Sequence, residues 1–254
     1  MTRYFTSTGE RNQSSHRILE SSSRLTDEYK GKVEALFSYY YPIEISMEKS
    51  KDEKISDMIE WWEKSHKLLI EQNLSKQDIE EMVTESTVEM RPGVDQFIEK
   101  CKNYDIPFLI FSAGIANVIE QVLTMKGLLH ARNMHIVSNQ MGFNEKTGRC
   151  DHFKEPLIHT FNKNEIIIRD SPYHTTIEDR GNVILLGDSL SDVQMADGIR
   201  HHTCLYIGFL NYGAEKLLDK YMETYDIVIV GDGTMNIVNF IIDACSVDDG
   251  LHFL

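Results

Sequence analysis

The stretch VILLGDSLSD (residues 183–192) joins a continuous apolar run to a polar loop that contains two carboxylates. Four other apolar runs are IPFLIF (106–111), HIVSN (135–139), CLYIGF (204–209) and DIVIVG (226–231). Helical stretches are predicted near 93–103, 115–127, 188–198 and 213–222, with a last helix after 231. Continuous apolar strands that alternate with helices are typical of a parallel sheet covered on both faces. The sequence therefore predicts an α/β core domain over residues 91–254.

The first 90 residues have a different pattern. Their apolar residues recur at helical rather than strand spacing, as in Val33, Leu36, Phe37 and Tyr40. Ser75 and Asp78 form a capping-box pattern that starts one of these helices, and Pro92-Gly93 ends the periodicity. We therefore predict a mainly helical cap domain over residues 1–90.

Composition narrows the class of protein. The 254 residues include 26 Lys+Arg and 40 Asp+Glu, which gives a net charge of −14 and argues against a nucleic-acid partner. No apolar run reaches the roughly 18 residues that a membrane span needs, and the first residues lack the apolar stretch of a secretory signal. The four cysteines are far apart, which indicates neither a disulfide scaffold nor a zinc site. We expect a cytoplasmic, monomeric protein without a membrane partner.

Ligands of open parallel sheets bind beyond the carboxyl ends of the strands. Ser112-Ala113-Gly114 follows the first apolar run and precedes a helix. A hydroxyl, small residues and a helix N-terminus together suit a phosphate group. The alternative is that Ser112 only caps the helix, and the tripeptide by itself favours neither reading.

Two further strand ends carry charged candidates. Asp188 lies at the end of the 183–187 run and Asp192 one turn later, so both carboxylates can face one point and suit Mg²⁺. The alternative is a capping box between Ser189 and Asp192. Lys163 falls between the serine loop and the acidic loop, where a cation can balance phosphate charge, although most lysines of an acidic chain are solvated surface residues.

A serine loop, a lysine and G-D-S-x-x-D in this order resemble the haloacid dehalogenase superfamily of aspartate-nucleophile phosphatases. Within that superfamily the chain is most similar to the cytosolic pyrimidine 5′-nucleotidases, and the similarity extends over nearly its whole length. The segments that carry it are Pro42–Ile45, Glu60–His66, Ile110–Ile115, Leu157–His159, Phe161–Lys163, Leu186–Ser189 and Met195–Gly198.

The resemblance implies a role for each candidate at the phosphate end. It implies that Ser112 and Ala113 hold the phosphate and that Lys163 contacts it and steadies the nucleophile. It also implies that Asp188 is a Mg²⁺ ligand and that Asp192 supports the metal directly or through water.

In the cap domain, the resemblance implies that Glu44 and Ser65 contact the nucleotide. A carboxylate can accept hydrogen bonds from the exocyclic amino group of a base. Without the resemblance, a solvated helix-end charge and an ordinary helix-surface hydroxyl are the simpler interpretations of these two residues. Trp61 and Trp62 are either core residues or, for one of them, an aromatic wall for the base.

One motif of the resembled family is missing. That family opens with a strand ending in D-x-D-x-T, whose first Asp attacks phosphorus and whose second Asp is the general acid and base. The chain begins Met1-Thr2-Arg3-Tyr4 and contains no such motif. We expect the two carboxylates and their strand, the first of the sheet, to lie upstream of Met1.

The resemblance therefore predicts a Mg²⁺-dependent 5′-nucleotidase that hydrolyses nucleoside 5′-monophosphates, in particular pyrimidine nucleotides such as CMP. The resemblance also implies that the reaction proceeds through an aspartyl-phosphate. One alternative is a phosphatase for another small metabolite. The other is a catalytically inert homologue that binds a nucleotide or a partner, because the nucleophile is absent.

Overall fold

The computed structural model describes residues 1–46, 48–129, 132–163, 172–197 and 201–246. The α-helices are α1 (Ser15–Glu20), α2 (Asp27–Ile45), α3 (Lys51–Glu71), α4 (Lys76–Thr84), α5 (Val94–Asn103), α6 (Ala116–Met125), α7 (Pro172–Ile177), α8 (Ala214–Thr224) and α9 (Asn236–Ser246). The strands are β1 (Phe108–Ile115), β2 (Met134–Asn139), β3 (Met141–Phe143), β4 (Cys150–Phe153), β5 (Asn182–Gly187), β6 (Thr203–Leu210) and β7 (Ile227–Val230). Within these ranges, no helix has the length and apolar character to cross a membrane.

The five predicted apolar runs all form parallel strands. β1 pairs with β2, and β5, β6 and β7 pair in that order. The prediction of a parallel α/β fold is therefore confirmed. In the part of the chain that the structure describes, however, the strands form two separate parallel sheets, because β1 and β5 do not pair with each other.

Side chains of β6 show that helices cover both faces of its sheet. Ile207 and Phe209 pack in one hydrophobic cluster with residues of α5 and α9. Leu210 packs in a second cluster with Tyr221 of α8. Because successive strand residues point to opposite faces, this alternation places α5 and α9 on one side and α8 on the other.

The helical pattern of the first 90 residues is confirmed in α2, α3 and α4. The predicted capping box of Ser75 and Asp78 is present at the start of α4, and Ser50 with Glu53 forms a second one at the start of α3. One hydrophobic cluster includes Leu19 and Val83 together with Val118 of α6, so it extends across residue 90. The division into a cap domain and a core domain stays a prediction.

Two local features differ from the sequence prediction. An antiparallel β3–β4 hairpin, which was not predicted, follows β2, and in its turn the Asn144 side chain accepts hydrogen bonds from the backbone N–H groups of Lys146 and Thr147. The helix predicted to run to Gly198 is a short 3-10 helix, Asp192–Ala196. It forms because Asp192 turns its side chain back to backbone N–H groups of the preceding loop. Gly198 itself lies outside the described residues.

A pair of glycines makes room for one aromatic ring. Gly187 of β5 pairs with Gly208 of β6. A Cβ on Gly208 would lie 2.5 Å from a ring carbon of Tyr225, and a Cβ on Gly187 would lie 2.5 Å from the hydroxyl of the same tyrosine. The absence of two side chains therefore lets Tyr225 lie flat across the sheet, next to the loop that contains Asp188.

Gly208→Ala should destabilise the protein by about 1–3 kcal/mol, because the added methyl group must displace a packed ring. Gly31→Ala is the matched control, since nothing lies within 4 Å of the Cβ position on this helical glycine. That variant should be more stable than wild type by about 0.5–1 kcal/mol. Urea denaturation followed by circular dichroism measures both. Equal stability of wild type and Gly208→Ala would contradict the packing argument.

Candidate active site

A cavity of about 1580 Å³ lies between β1 and β5. Its walls include residues of both strands along their length. Most of the predicted site residues line it, namely Glu44, Ser112, Ala113, Lys163, Asp188 and Asp192. The structure therefore brings these side chains together, from loops that are far apart in sequence. Ser65 lies one helical turn after Trp62 in α3 and does not line the cavity.

The Ser112 region differs from the expected strand–loop–helix boundary. β1 continues to Ile115, with a register irregularity between Phe111 and Ile115. The hydroxyl of Ser112 accepts a hydrogen bond from the Gly114 N–H at 3.0 Å, and the N-cap residue of α6 is Ile115 without a side-chain cap. The alternative that Ser112 caps the helix is therefore wrong. Phosphate binding by Ser112 and Ala113 stays a prediction.

Asp192 uses its carboxylate within the protein. One oxygen, Oδ2, accepts hydrogen bonds from the backbone N–H groups of Asp188 and Ser189, both at 3.0 Å. The other oxygen, Oδ1, forms an ion pair with Lys163 Nζ at 2.5 Å. Asp192 is only 4% exposed. Although burial opposes ionisation, Lys163 and the two N–H donors hold the pKa of Asp192 below its usual range.

The capping box proposed for this loop is half present. Asp192 accepts the Ser189 N–H, but the Ser189 hydroxyl bonds to the Ser191 hydroxyl at 2.9 Å. Lys163 is not a solvated surface residue, because its side chain is 14% exposed and paired with Asp192. The two candidates that sequence reasoning placed in separate loops therefore form one ion pair.

Asp188 is in the opposite situation. Among the described residues, no hydrogen-bond donor reaches its carboxylate. Desolvation by the surrounding chain and the neighbouring Asp192 raise the pKa of Asp188. The Asp188 side chain is nevertheless open to the cavity, and an accessible carboxylate next to a second negative charge suits a divalent cation.

Metal binding at this site would need ligands besides the protein's carboxylates. Within the described ranges, no group of three His, Cys, Asp or Glu side chains could hold a metal alone. Mg²⁺ often binds one or two carboxylates together with substrate phosphate and water. Asp188 fits that role better than Asp192, whose oxygens already have partners.

Two tyrosines that sequence reasoning missed hold the acidic loop in place. The Tyr221 hydroxyl donates to the Asp188 carbonyl oxygen at 2.6 Å, and the Tyr225 hydroxyl donates to the Ser189 carbonyl oxygen at 2.5 Å. Their spacing, with Tyr221 one helical turn before Tyr225, is the only sequence feature that relates them. The two phenols fix the backbone from which the Asp188 side chain projects.

Glu44 lies near the end of α2 and faces the same cavity. The Thr160 hydroxyl donates a hydrogen bond to its Oε1 atom, and burial raises the pKa of Glu44. Glu44 is therefore not a solvated helix-end charge.

Trp62 lines the cavity and donates from Nε1 to the Ala113 carbonyl oxygen at 3.0 Å. Trp61 does not line it and stacks on Tyr40 at a ring distance of 5.8 Å.

Asp188→Asn and Asp192→Asn should have opposite effects on stability at pH 7. The folded protein raises the pKa of Asp188, so folding binds protons and stability falls as pH rises above the ordinary value of 3.8. Asp188→Asn removes that penalty and should raise the free energy of unfolding. Asp192→Asn leaves Lys163 buried without its partner and should lower it by about 3–5 kcal/mol.

Urea denaturation from about pH 2 to about pH 8 measures both effects, because it spans the ordinary and the shifted pKa ranges of the two carboxylates. The advantage of Asp188→Asn should grow with pH, whereas the contribution of Asp192, whose pKa is lowered, is present above pH 3.8 and lost below it. Equal destabilisation by the two variants would contradict the different roles assigned to the two carboxylates.

Comparison with known proteins agrees with this geometry. A family model for pyrimidine 5′-nucleotidases (UMPH-1) matches residues 1–246. The chain is 40% identical over 239 residues to 7-methylguanosine phosphate-specific 5′-nucleotidase A of Xenopus laevis, covering 94% of this chain and 82% of that protein. It is 42% identical over 236 residues to the 7-methylguanosine phosphate-specific 5′-nucleotidase of Homo sapiens, covering 92% of this chain and 78% of that one.

Solved structures include a crystal structure of cytosolic 5′-nucleotidase IIIB bound to cytidine. It superposes on this chain with a TM-score of 0.87 at 34% identity, covering 95% of this chain and 81% of that one. The chain therefore belongs to the pyrimidine 5′-nucleotidase family of haloacid dehalogenase-like phosphomonoester hydrolases.

Proposed function

We propose that this protein acts on nucleoside 5′-monophosphates as a Mg²⁺-dependent 5′-nucleotidase. The observation that carries the proposal is the single cavity with two chemically different ends. Glu44 and Trp62 provide an acceptor and an aromatic ring for a base, whereas Ser112, Lys163 and Asp188 provide groups for a phosphate and a cation. The word cytosolic in the name of the solved relative supports a cytoplasmic location, and we propose a monomer.

The base end favours bases that donate hydrogen bonds. A carboxylate such as Glu44 can accept from the exocyclic amino group of cytosine, and equally from the N–H edge of a guanine. Relatives are named for 7-methylguanosine phosphate, and the solved one binds cytidine. Methylation at N7 also gives guanine a positive charge, which an anionic Glu44 and the ring of Trp62 both attract. We therefore propose CMP and 7-methylguanosine 5′-monophosphate as substrates.

The residues at the phosphate end would place polar and charged groups around the phosphate of the substrate. Ser112 and Ala113 would hold phosphate oxygens, and Lys163 would place its ammonium group between the phosphate and Asp192. Asp188 would hold the Mg²⁺, with Asp192 supporting the loop rather than ligating the metal. When bound, Mg²⁺ supplies positive charge that polarises the phosphoryl oxygen and offsets the charge that develops during transfer.

The cavity also suits a β-strand. Among the described elements, β1 pairs only with β2 and β5 pairs only with β6, so each has an edge free towards the cavity. The strands run parallel within each of the two sheets, Ser112 lies in the carboxyl-terminal half of β1, and Asp188 directly follows β5. We propose that this space can accept one further strand ending in D-x-D-x-T, because its two carboxylates would then lie beside Ser112, Lys163 and Asp188.

The 254-residue chain should show no nucleotidase turnover, because its sequence contains no D-x-D-x-T. Met1 lines the cavity together with Asp188. The end of a strand fused ahead of Met1 would therefore lie near the Asp188 carboxylate. A fusion of an apolar strand ending in D-x-D-x-T should hydrolyse CMP, and the same fusion with N-x-D-x-T should not. Phosphate release by the three purified proteins measures this. An inactive fusion that still binds nucleosides would favour the alternative of an inert nucleotide-binding homologue.

Glu44→Gln should weaken discrimination between bases rather than binding of the ribose and phosphate. The amide keeps the size of the side chain but loses its charge, so cytidine and 7-methylguanosine should lose about 1–3 kcal/mol relative to uridine. Calorimetric titration of the three nucleosides into both proteins measures the change. Equal losses for all three nucleosides would show that Glu44 supports the structure instead of reading the base.

A further inference from the structure

Residues 157–163, termed the bracket loop, contact both ends of the cavity. Lys163 at its end pairs with Asp192, and Thr160 in its middle bonds to Glu44. We propose that Thr160 is a positioning residue for base recognition, which orients the Glu44 carboxylate so that one oxygen remains for the base. This inference rests on the proposed function, since it concerns how Glu44 carries out its part.

The contact divides the two oxygens of Glu44 between two tasks. Thr160 donates its hydroxyl proton to Oε1. Among the described residues, no donor reaches Oε2. Because the Thr160 hydroxyl occupies Oε1 and restricts rotation of the carboxylate, Oε2 is left as the acceptor for a base donor.

The main chain of Glu44 is fixed separately. Lys54 Nζ donates to the carbonyl oxygen of Glu44 at 3.1 Å and to that of Ser46 at 2.5 Å. Lys54 is 8% exposed, and its ammonium group lies 5.4 Å from the centre of the Phe161 ring of the bracket loop. With the end of α2 held in this way, rotation of the Glu44 side chain is the remaining freedom, and Thr160 removes it.

Asparagine side chains hold the bracket loop at four backbone groups. Asn162 accepts from the His159 N–H at 2.8 Å and donates to the Leu157 carbonyl oxygen at 2.8 Å. Buried Asn139 accepts from the Ile158 N–H at 2.9 Å and donates to the Ile158 carbonyl oxygen at 2.7 Å. Two asparagine side chains thus replace the backbone pairing that a strand would provide. Thr160 therefore has a defined position before any ligand binds.

A contact that orients a carboxylate differs from one that only adds stability. An orienting hydroxyl should change the ranking of bases, and only while Glu44 is present to be oriented. A hydroxyl that merely stabilises the loop should change the affinity of all nucleosides together, whatever residue occupies position 44.

The test is calorimetric titration of cytidine, 7-methylguanosine and uridine into the full chain. Thr160→Val should lose about fivefold or more of the preference for cytidine and 7-methylguanosine over uridine. Thr160→Ser, which restores the hydroxyl, should keep that preference, and Thr160→Ala provides a second variant without it. Thr224→Val is the matched control, because the Thr224 hydroxyl donates to the Lys220 carbonyl oxygen within α8 and Thr224 does not line the cavity.

The decisive comparison places Thr160→Val in the Glu44→Gln background, where it should not change the base ranking further. An unchanged ranking in Thr160→Val alone, or an equal loss in both backgrounds, would overturn the role of Thr160 and leave the proposed function intact. Failure of the wild-type chain to bind any nucleoside would instead contradict the proposed function itself.

Discussion

The carboxylate of Asp192 is the contact on which the rest of the site depends. It closes the acidic loop onto itself through two backbone N–H groups and joins that loop to Lys163 on a separate segment. A buried ion pair is stable only when its remaining hydrogen-bonding capacity is satisfied, and here both oxygens have partners. Because Asp192 is committed in this way, the neighbouring Asp188 is the carboxylate of this loop that no donor of the described residues reaches. Two similar residues in one loop thus acquire different tasks from their surroundings.

A short chain of side chains connects this pair to the helical layer. Asn139, at the end of β2, bonds both to Ala113 in the serine region and to Ile158 in the bracket loop. Trp62 of α3 bonds to the same Ala113 carbonyl oxygen. The Ala113 carbonyl oxygen therefore accepts hydrogen bonds from a helix residue, Trp62, and from a strand-end residue, Asn139, which also binds the bracket loop. The groups proposed to face a phosphate and those proposed to face a base are thus held by connected hydrogen bonds rather than by independent loops.

The sequence predicts much of this fold because its strands are long, apolar and regularly separated by helices. β1, β2, β5, β6 and β7 all fall on predicted runs, and α3 and α4 have recognisable caps. The separation into two sheets could not be predicted, because strand neighbours depend on contacts between distant segments. The β3–β4 hairpin was missed since its strands are short and rich in polar residues.

The candidate site shows the same limit at the level of side chains. The order of Ser112, Lys163 and Asp188 along the chain indicates a common site, because loops at the carboxyl ends of parallel strands converge. The pairing of Lys163 with Asp192, and the contact of Thr160 with Glu44, are set by tertiary geometry and leave no local pattern. Tyr221 and Tyr225 likewise act from a helix with no polar motif of its own.

The glycine pair under Tyr225 has an evolutionary consequence. A large ring lies over both Gly187 and Gly208 and reaches the Ser189 carbonyl oxygen, and a Cβ on Gly187 would also lie 2.6 Å from the Cβ of Asp192. A relative with a small residue at position 225 would be released from this restriction at position 208 and could accept alanine there, whereas Asp192 would still restrict position 187. Positions 208 and 225 are therefore expected to vary together among related sequences, although they belong to different elements.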